Sequence, residues 1–225
     1  MNIKISEITK KYENITVLNH VSLEFLEGTI TGLIGRNGSG KTMILKALCG
    51  FIKLDEGVIS VDGETFDDIT KTGIPVGAII ETPGFLSQYS GFKNLEFLSL
   101  IQKRIDKKKI KETMELVGLN PDEKKPVGKY SLGMRQRLGI AQALMEEPDI
   151  LLLDEPMNGL DNIGVKQMQQ LFLELKKKGK TIVLASHNRE DIQLLCDYVV
   201  ELDQGKVIQR YEAGNINGLE ISFIK

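Results

Sequence analysis

The run Gly35-Arg36-Asn37-Gly38-Ser39-Gly40-Lys41-Thr42 matches the phosphate-binding pattern G-x-x-x-x-G-K-[ST] at every fixed position. Glycines let the backbone wrap closely around phosphate oxygens, aiming successive N–H groups and the positive end of the following helix at the anion. The expected cradle is Gly35, Asn37, Gly38, Ser39, Gly40, Lys41, Thr42 and Met43. Lys41 reaches the β- and γ-phosphates, and Thr42 offers its hydroxyl to Mg²⁺, a hard cation that prefers oxygen.

A phosphate site of this kind needs a second metal-facing carboxylate at the end of a buried strand. Asp149-Ile150-Leu151-Leu152-Leu153-Asp154-Glu155-Pro156 supplies two in succession. Consecutive side chains at a strand end point in different directions. Asp154 is therefore expected on the metal, and Glu155 as the general base or the group that orients the attacking water. His187 follows another apolar run, 181–185, and is expected at the same carboxyl edge, in contact with the γ-phosphate. His20 has no such setting.

These side chains need strands that end together. Apolar runs bounded by Gly or Asp alternate with helix-period segments, the pattern of an α/β fold with a mostly parallel sheet covered on both faces. Strands are expected near 3–8, 21–26, 29–34, 58–61, 76–80, 149–153, 181–185, 197–202 and 206–210. The strand at 29–34 leads into the phosphate loop, and Met43, Ile44, Leu45, Ala47 and Leu48 follow as a helix ending at Gly50. Residues 94–117 carry Leu95, Leu98, Ile101, Ile105, Ile110, Met114 and Val117 at mostly helical spacing and read as a helical lobe. Its lysine run at 107–109, like the one at 176–178, reads as a solvated helix face.

Composition narrows the function classes. The 225 residues are 41% hydrophobic and 27% charged, consistent with one large globular domain, and no internal repeat or linker marks a second. A net charge of −2 and a pI near 5.8 give no overall field for nucleic acid, and no arginine-rich stretch occurs; nucleic acid is not an expected partner. No apolar run approaches the roughly 18 residues that span a bilayer, and residues 1–10 alternate as a first strand instead of forming a secretory core. Cys49 and Cys196 lie far apart without a CxxC neighbour and are expected as buried thiols in a reducing cytosol. No chemistry is read from the tail after Arg210, with its Gly214, Asn215, Asn217 and Gly218.

Between the phosphate loop and the acidic strand lies Tyr130-Ser131-Leu132-Gly133-Met134-Arg135-Gln136-Arg137-Leu138, which resembles the signature motif of the ABC ATPases. Together with Asp154-Glu155, Asn158-Gly159-Leu160-Asp161 and Ser186-His187, the resemblance extends over nearly the whole chain in family order. It implies an ABC ATPase fold: a P-loop NTPase core with a mostly parallel sheet, an N-terminal antiparallel β subdomain and an inserted α-helical subdomain at about 82–145, in a single domain over 1–225. It further implies that Tyr12 stacks on adenine with Val17 beside it, and that Ser131 and Gly133 reach the γ-phosphate held by a second ATPase subunit. Asp161 would lie in the loop coupling the two sites, with His187 as the switch histidine.

Two departures from the family pattern are informative. In Ile79-Ile80-Glu81-Thr82-Pro83-Gly84, Glu81 replaces the usual glutamine that touches Mg²⁺ and the attacking water, and Leu132 and Met134 replace a glycine and a glutamine of the signature. Both are similar to the bacitracin-resistance and lantibiotic-immunity exporters. The resemblance thus implies an ATP- and Mg²⁺-dependent hydrolase, cytoplasmic and peripheral on the inner face of the membrane, driving separately encoded membrane-spanning permease subunits, with export of a peptide antibiotic or similar amphiphile. The alternative is a soluble ABC ATPase acting as a nucleotide-dependent switch without transport.

Overall fold

The computed structural model describes residues 1–81 and 84–213. An N-terminal hairpin joins β1 (Asn2–Tyr12) to β2 (Ile15–Leu26), and β4 (Glu56–Val61) and β5 (Glu64–Phe66) extend it into a four-stranded sheet, β2-β1-β4-β5. Its observed strand pairs are antiparallel. The second sheet holds β3 (Ile30–Ile34), β6 (Val76–Ile79), β7 (Ile150–Asp154), β8 (Thr181–Ala185), β9 (Tyr198–Asp203) and β10 (Lys206–Glu212), in the order β10-β9-β3-β8-β7-β6. All its pairs are parallel except β10 with β9.

The parallel strands are apolar along their length because both faces are covered. In β7, Ile150 and Leu152 pack beneath the antiparallel sheet and α1 (Lys41–Leu48), with Ile5, Phe25 and Leu45. Leu151 and Leu153 face the opposite way, into a cluster with Leu138, Ile140 and Phe172. That second layer is built from α4 (Leu132–Leu144), α5 (Asn162–Lys177) and α6 (Arg189–Leu195).

The expected helical lobe at 94–117 is two helices, α2 (Gly91–Gln102) and α3 (Lys107–Leu116). Lys103 closes the first in the left-handed conformation at φ 55°, and Asp106 caps the second by accepting from Lys109 N. The apolar spacing records the break, since Ile105 and Ile110 are five apart. Of the lysine run, Lys107 and Lys108 are exposed and pair with Glu96 at 2.9 Å and Glu112 at 3.7 Å, while the partly buried Lys109 pairs with Glu147. Lys176 departs from the solvated reading, being partly buried and paired with Asp197 at 2.6 Å.

Cys49 and Cys196 are both buried and unpaired by disulfide, as expected. Among the described residues, no helix is long and apolar enough to cross a membrane. The Gly214 to Gly218 tail, and Thr82 and Pro83 beside Glu81, lie outside the described residues.

Candidate active site

Four neighbouring parallel strands deliver the chemistry to one edge. Register pairs Ile79 with Leu153, Asp154 with Ala185 and Leu33 with Ala185, so β6, β7, β8 and β3 finish nearly level. Glu81, Asp154, Glu155, His187 and the phosphate loop therefore leave the sheet side by side, at the carboxyl edge where open α/β sheets bind ligands.

Backbone conformation makes the phosphate loop a concave cradle. Gly35 has φ 143°, and a Cβ there would lie 2.2 Å from the Leu202 carbonyl oxygen. Gly40, at φ 110°, caps α1 and brings its N-terminus into the loop. Lys41 is only 7% exposed, and its Nζ donates to Gly35 O at 2.7 Å and Arg36 O at 3.1 Å. Burial lowers the pKa of this ammonium, against the opposing pull of the Glu155 and Asp154 charges. A buried cation bonded to two neutral carbonyls leaves its charge available to an anion. Ser39 Oγ, also buried, has no hydrogen-bond partner among the described residues. These donors fit phosphate oxygens.

At the second residue of α1, Thr42 Oγ1 donates to Asp154 Oδ2 at 2.7 Å. Burial pushes the Asp154 carboxyl up; the Thr42 hydrogen bond and the Lys41 charge pull it down, Glu81 raises it and Lys46 lowers it. The hydroxyl and carboxylate form a hard-oxygen pair suited to a divalent cation. Glu155 turns away from Asp154 through a left-handed backbone, φ 46°, and its Oε1 lies 2.8 Å from His187 Nδ1. The two carboxylates thus diverge as a strand end requires.

Two helix side chains that carry no expected role hold these carboxylate segments: Lys46 lies outside the motifs, and Gln136 lies within the signature run. Gln136 Nε2 of α4 donates to Glu155 O at 3.3 Å and Pro156 O at 3.0 Å, bracing the strained peptide behind the carboxylate. Lys46 Nζ donates to Glu81 Oε1 at 2.5 Å, with Glu81 itself at φ 62°. The available signal was spacing: Lys46 is four residues beyond Thr42 and Gln136 four beyond Leu132, the same helix faces.

The remaining predicted residues divide into near and far sets. Tyr12 ends β1, the residue 47% exposed and Lys10 Nζ 5.0 Å from its ring centroid, an exposure that suits stacking. Val17 is partly buried, its carbonyl close to Gly40. Asn37 and Gly38 sit exposed at the loop tip, and Met43, in the first turn of α1, packs partly buried against the core under the antiparallel sheet. Ser131 instead caps α4, its Oγ accepting from Met134 N at 3.2 Å. Among the described residues, neither Ser131 nor Gly133 has a hydrogen bond to the phosphate loop. Gly133 lies against Gly159 O, and Leu132 covers Gly159 so closely that a Cβ there would meet its Cγ at 2.4 Å. Asp161 caps α5, accepting from Gly164 N at 2.8 Å.

Comparison with known proteins agrees with this geometry. The family model described as ABC transporter matches residues 18–158. The chain is 46% identical to the ABC transporter ATP-binding protein YybJ of Bacillus subtilis, over 91% of this chain and 94% of that one. It is 41% identical to the bacitracin transport ATP-binding protein BcrA of Bacillus licheniformis, over 92% of this chain and 68% of that one. Its fold matches a dimeric post-hydrolysis ATP-binding cassette bound to ADP and Pi with a TM-score of 0.86, covering 94% of this chain and 98% of that one at 24% identity. With the family model spanning more than half of its length, this chain belongs to the ABC transporter family, as an ATP-binding and ATP-hydrolysing subunit.

Proposed function

We propose that this subunit hydrolyses ATP at a site shared between two ATPase subunits and so drives membrane-spanning permease subunits that export a peptide antibiotic or similar amphiphile. The observation that carries the catalytic reading is the Glu155–His187 contact at 2.8 Å beside the Thr42–Asp154 pair. The similarity to BcrA, a bacitracin transport protein, supports the substrate class. We place the protein on the cytoplasmic face through its permease, as a single domain with helices 82–145 inserted, and with no nucleic-acid partner.

In this reading Tyr12 and Val17 receive the adenine. The backbone of 35–43 and the Lys41 ammonium bind the phosphates, Lys41 leaving its two loop carbonyls for phosphate oxygens. Thr42 and Asp154 hold Mg²⁺, with Glu81 as a further carboxylate; the bound ion neutralises charge developing on the phosphates. Glu155 takes the proton of the attacking water at its carboxylate. His187 steadies that carboxylate and contacts the γ-phosphate. Ser131 and Gly133, at the N-terminus of α4 and without a hydrogen bond to this chain's own loop among the described residues, serve the nucleotide of the second subunit. Asp161, tied to the signature through Gly159, couples the two sites. ATP bridges the subunits, and its hydrolysis removes the bridge.

The test compares wild type with Glu155→Gln, which keeps shape and removes the base. The variant is expected to bind ATP, lose hydrolysis and accumulate as an ATP-bound dimer. Normal hydrolysis by a monomeric variant would refute both the base assignment and the shared site.

A further inference from the structure

Helix α1 carries two side chains four residues apart on one face, Thr42 and Lys46. Each reaches a carboxylate at the end of a different, adjacent strand: Thr42 to Asp154 after β7, Lys46 to Glu81 after β6. The two contacts are parallel rungs between one helix and one sheet edge. Lys46 is three-quarters covered, whereas Glu81 is 65% exposed, so the cation is the anchored member and the carboxylate the movable one. Asp154 feels both, with opposite signs, which puts all three groups in one electrostatic neighbourhood.

A neutral amide at position 81 can sit beside a triphosphate without a counter-charge. A carboxylate cannot, because it repels the γ-phosphate until a cation stands between them. From this geometry we infer that Lys46 is the positioning residue for Glu81. It holds the carboxylate against α1 while no metal–nucleotide complex is bound, and yields it to the divalent cation when one arrives. The inference rests on the reading of Glu81 as a metal-side carboxylate. It assigns no bond-making role to Lys46 itself.

The test uses the full chain and two measurements independent of turnover. The first is the rate of Lys46 acetylation by a trace of acetic anhydride, followed by mass spectrometry. Lys46 is expected to label at least threefold faster in Glu81→Gln, and faster in wild type once Mg²⁺ and a non-hydrolysable ATP analogue are added. Equal rates in wild type and Glu81→Gln would overturn the pairing. The second is Mn²⁺ affinity of the analogue complex, by electron paramagnetic resonance, in a cycle of Lys46→Met and Glu81→Gln. Lys46→Met is expected to tighten Mn²⁺ binding about fivefold when Glu81 is present and less than twofold when Gln stands at 81.

Equal shifts in the two backgrounds would mean that Lys46 contributes only a diffuse field, and the inference fails while the Glu81 reading survives. If Glu81→Gln alone leaves Mn²⁺ affinity unchanged, the Glu81 reading fails and the inference with it. Lys46→Arg, which retains the cation, is expected to stay within twofold of wild type. This variant separates loss of pairing from loss of folding.

Discussion

Thr42→Val removes one oxygen and almost no volume, so its consequences can be worked from a single hydrogen bond. In the structure Thr42 Oγ1 donates to Asp154 Oδ2 at 2.7 Å, and this bond holds the Asp154 carboxyl down against a burial effect that pushes it up. Losing a hydrogen bond to a charged group costs about 1.5–3 kcal/mol, roughly 10- to 150-fold in an equilibrium constant. The loss falls on the metal side of the site, because Lys41 and the loop amides are untouched. Binding of ATP in EDTA is therefore expected within about threefold of wild type by calorimetry, the modest residue reflecting altered field at the phosphates. Mg²⁺-dependent hydrolysis is expected to fall by the 10- to 150-fold factor. Asp154→Ala removes the same bond from the other end, so adding Thr42→Val to it should cost much less than the sum. Additive losses in the double variant, or an equal loss of metal-free ATP binding, would refute the assignment of this pair to the metal.

Gln136→Leu deletes both donations to the Glu155 and Pro156 carbonyls; kcat is expected to drop about tenfold with ATP affinity nearly unchanged, measured by steady-state kinetics and equilibrium binding. Cys49 is buried with its thiol pushed up to about 12, and Cys196 is buried with its thiol raised further still, both chiefly by burial; native protein should leave Ellman's reagent unreacted until denaturant is added. Asp191 is 2% exposed, accepts from Gln169 Nε2 at 2.8 Å, and has its carboxyl raised by burial. The folded state thus binds the proton more tightly than the unfolded chain, so this group's contribution is present below its ordinary pKa near 3.8 and is lost as pH rises through the raised value. The stability of Asp191→Asn relative to wild type, from urea midpoints, should accordingly grow as pH increases through that window and stay level above it.

The parallel core was legible because its strands are buried on both faces, so 149–153 and 181–185 stand out as uninterrupted apolar runs; the structure places them at Ile150–Asp154 and Thr181–Ala185. The half-exposed strands were harder. β2 begins at Ile15, ahead of the expected 21, because residues 15–18 pair with the end of β1 across register shifts that break strict alternation. β5 has three residues, none fully buried, and a single hydrophobic one, Phe66, which sets no period. Its turn did leave a trace: Asp62 and Gly63 both have positive φ, as an Asp-Gly hairpin turn demands, and that dipeptide was readable. The predicted reactive groups were found by type and spacing. Their supports are not marked that way: Lys46 lies outside the motifs, Gln136 sits in the signature run at a position with no assigned role, and both act through contacts across 35 and 19 residues of sequence.

That difference between reactive groups and supports bears on how the site can act as a switch. Lys41, Thr42 and Lys46 belong to one helix, but each is bonded to a different segment: the phosphate loop, the end of β7, and the connection after β6. A nucleotide that draws Lys41 off its carbonyls and a cation that draws Glu81 off Lys46 would change two contacts of α1 together while leaving its buried face, Ile44, Leu45 and Leu48, packed as before. The β7–α5 connection has the same layout: Glu155 bonds to His187, Gln136 of α4 bonds to the Glu155 and Pro156 carbonyls, and Gly159 lies under Leu132. A group arriving at Ser131 from a second subunit would press on the helix that braces Glu155. Few-atom changes at either place are transmitted because packed interiors resist gradual deformation. The bulky Leu132, where the family usually has glycine, tightens the second linkage: its side chain fills the space over Gly159 that glycine would leave open.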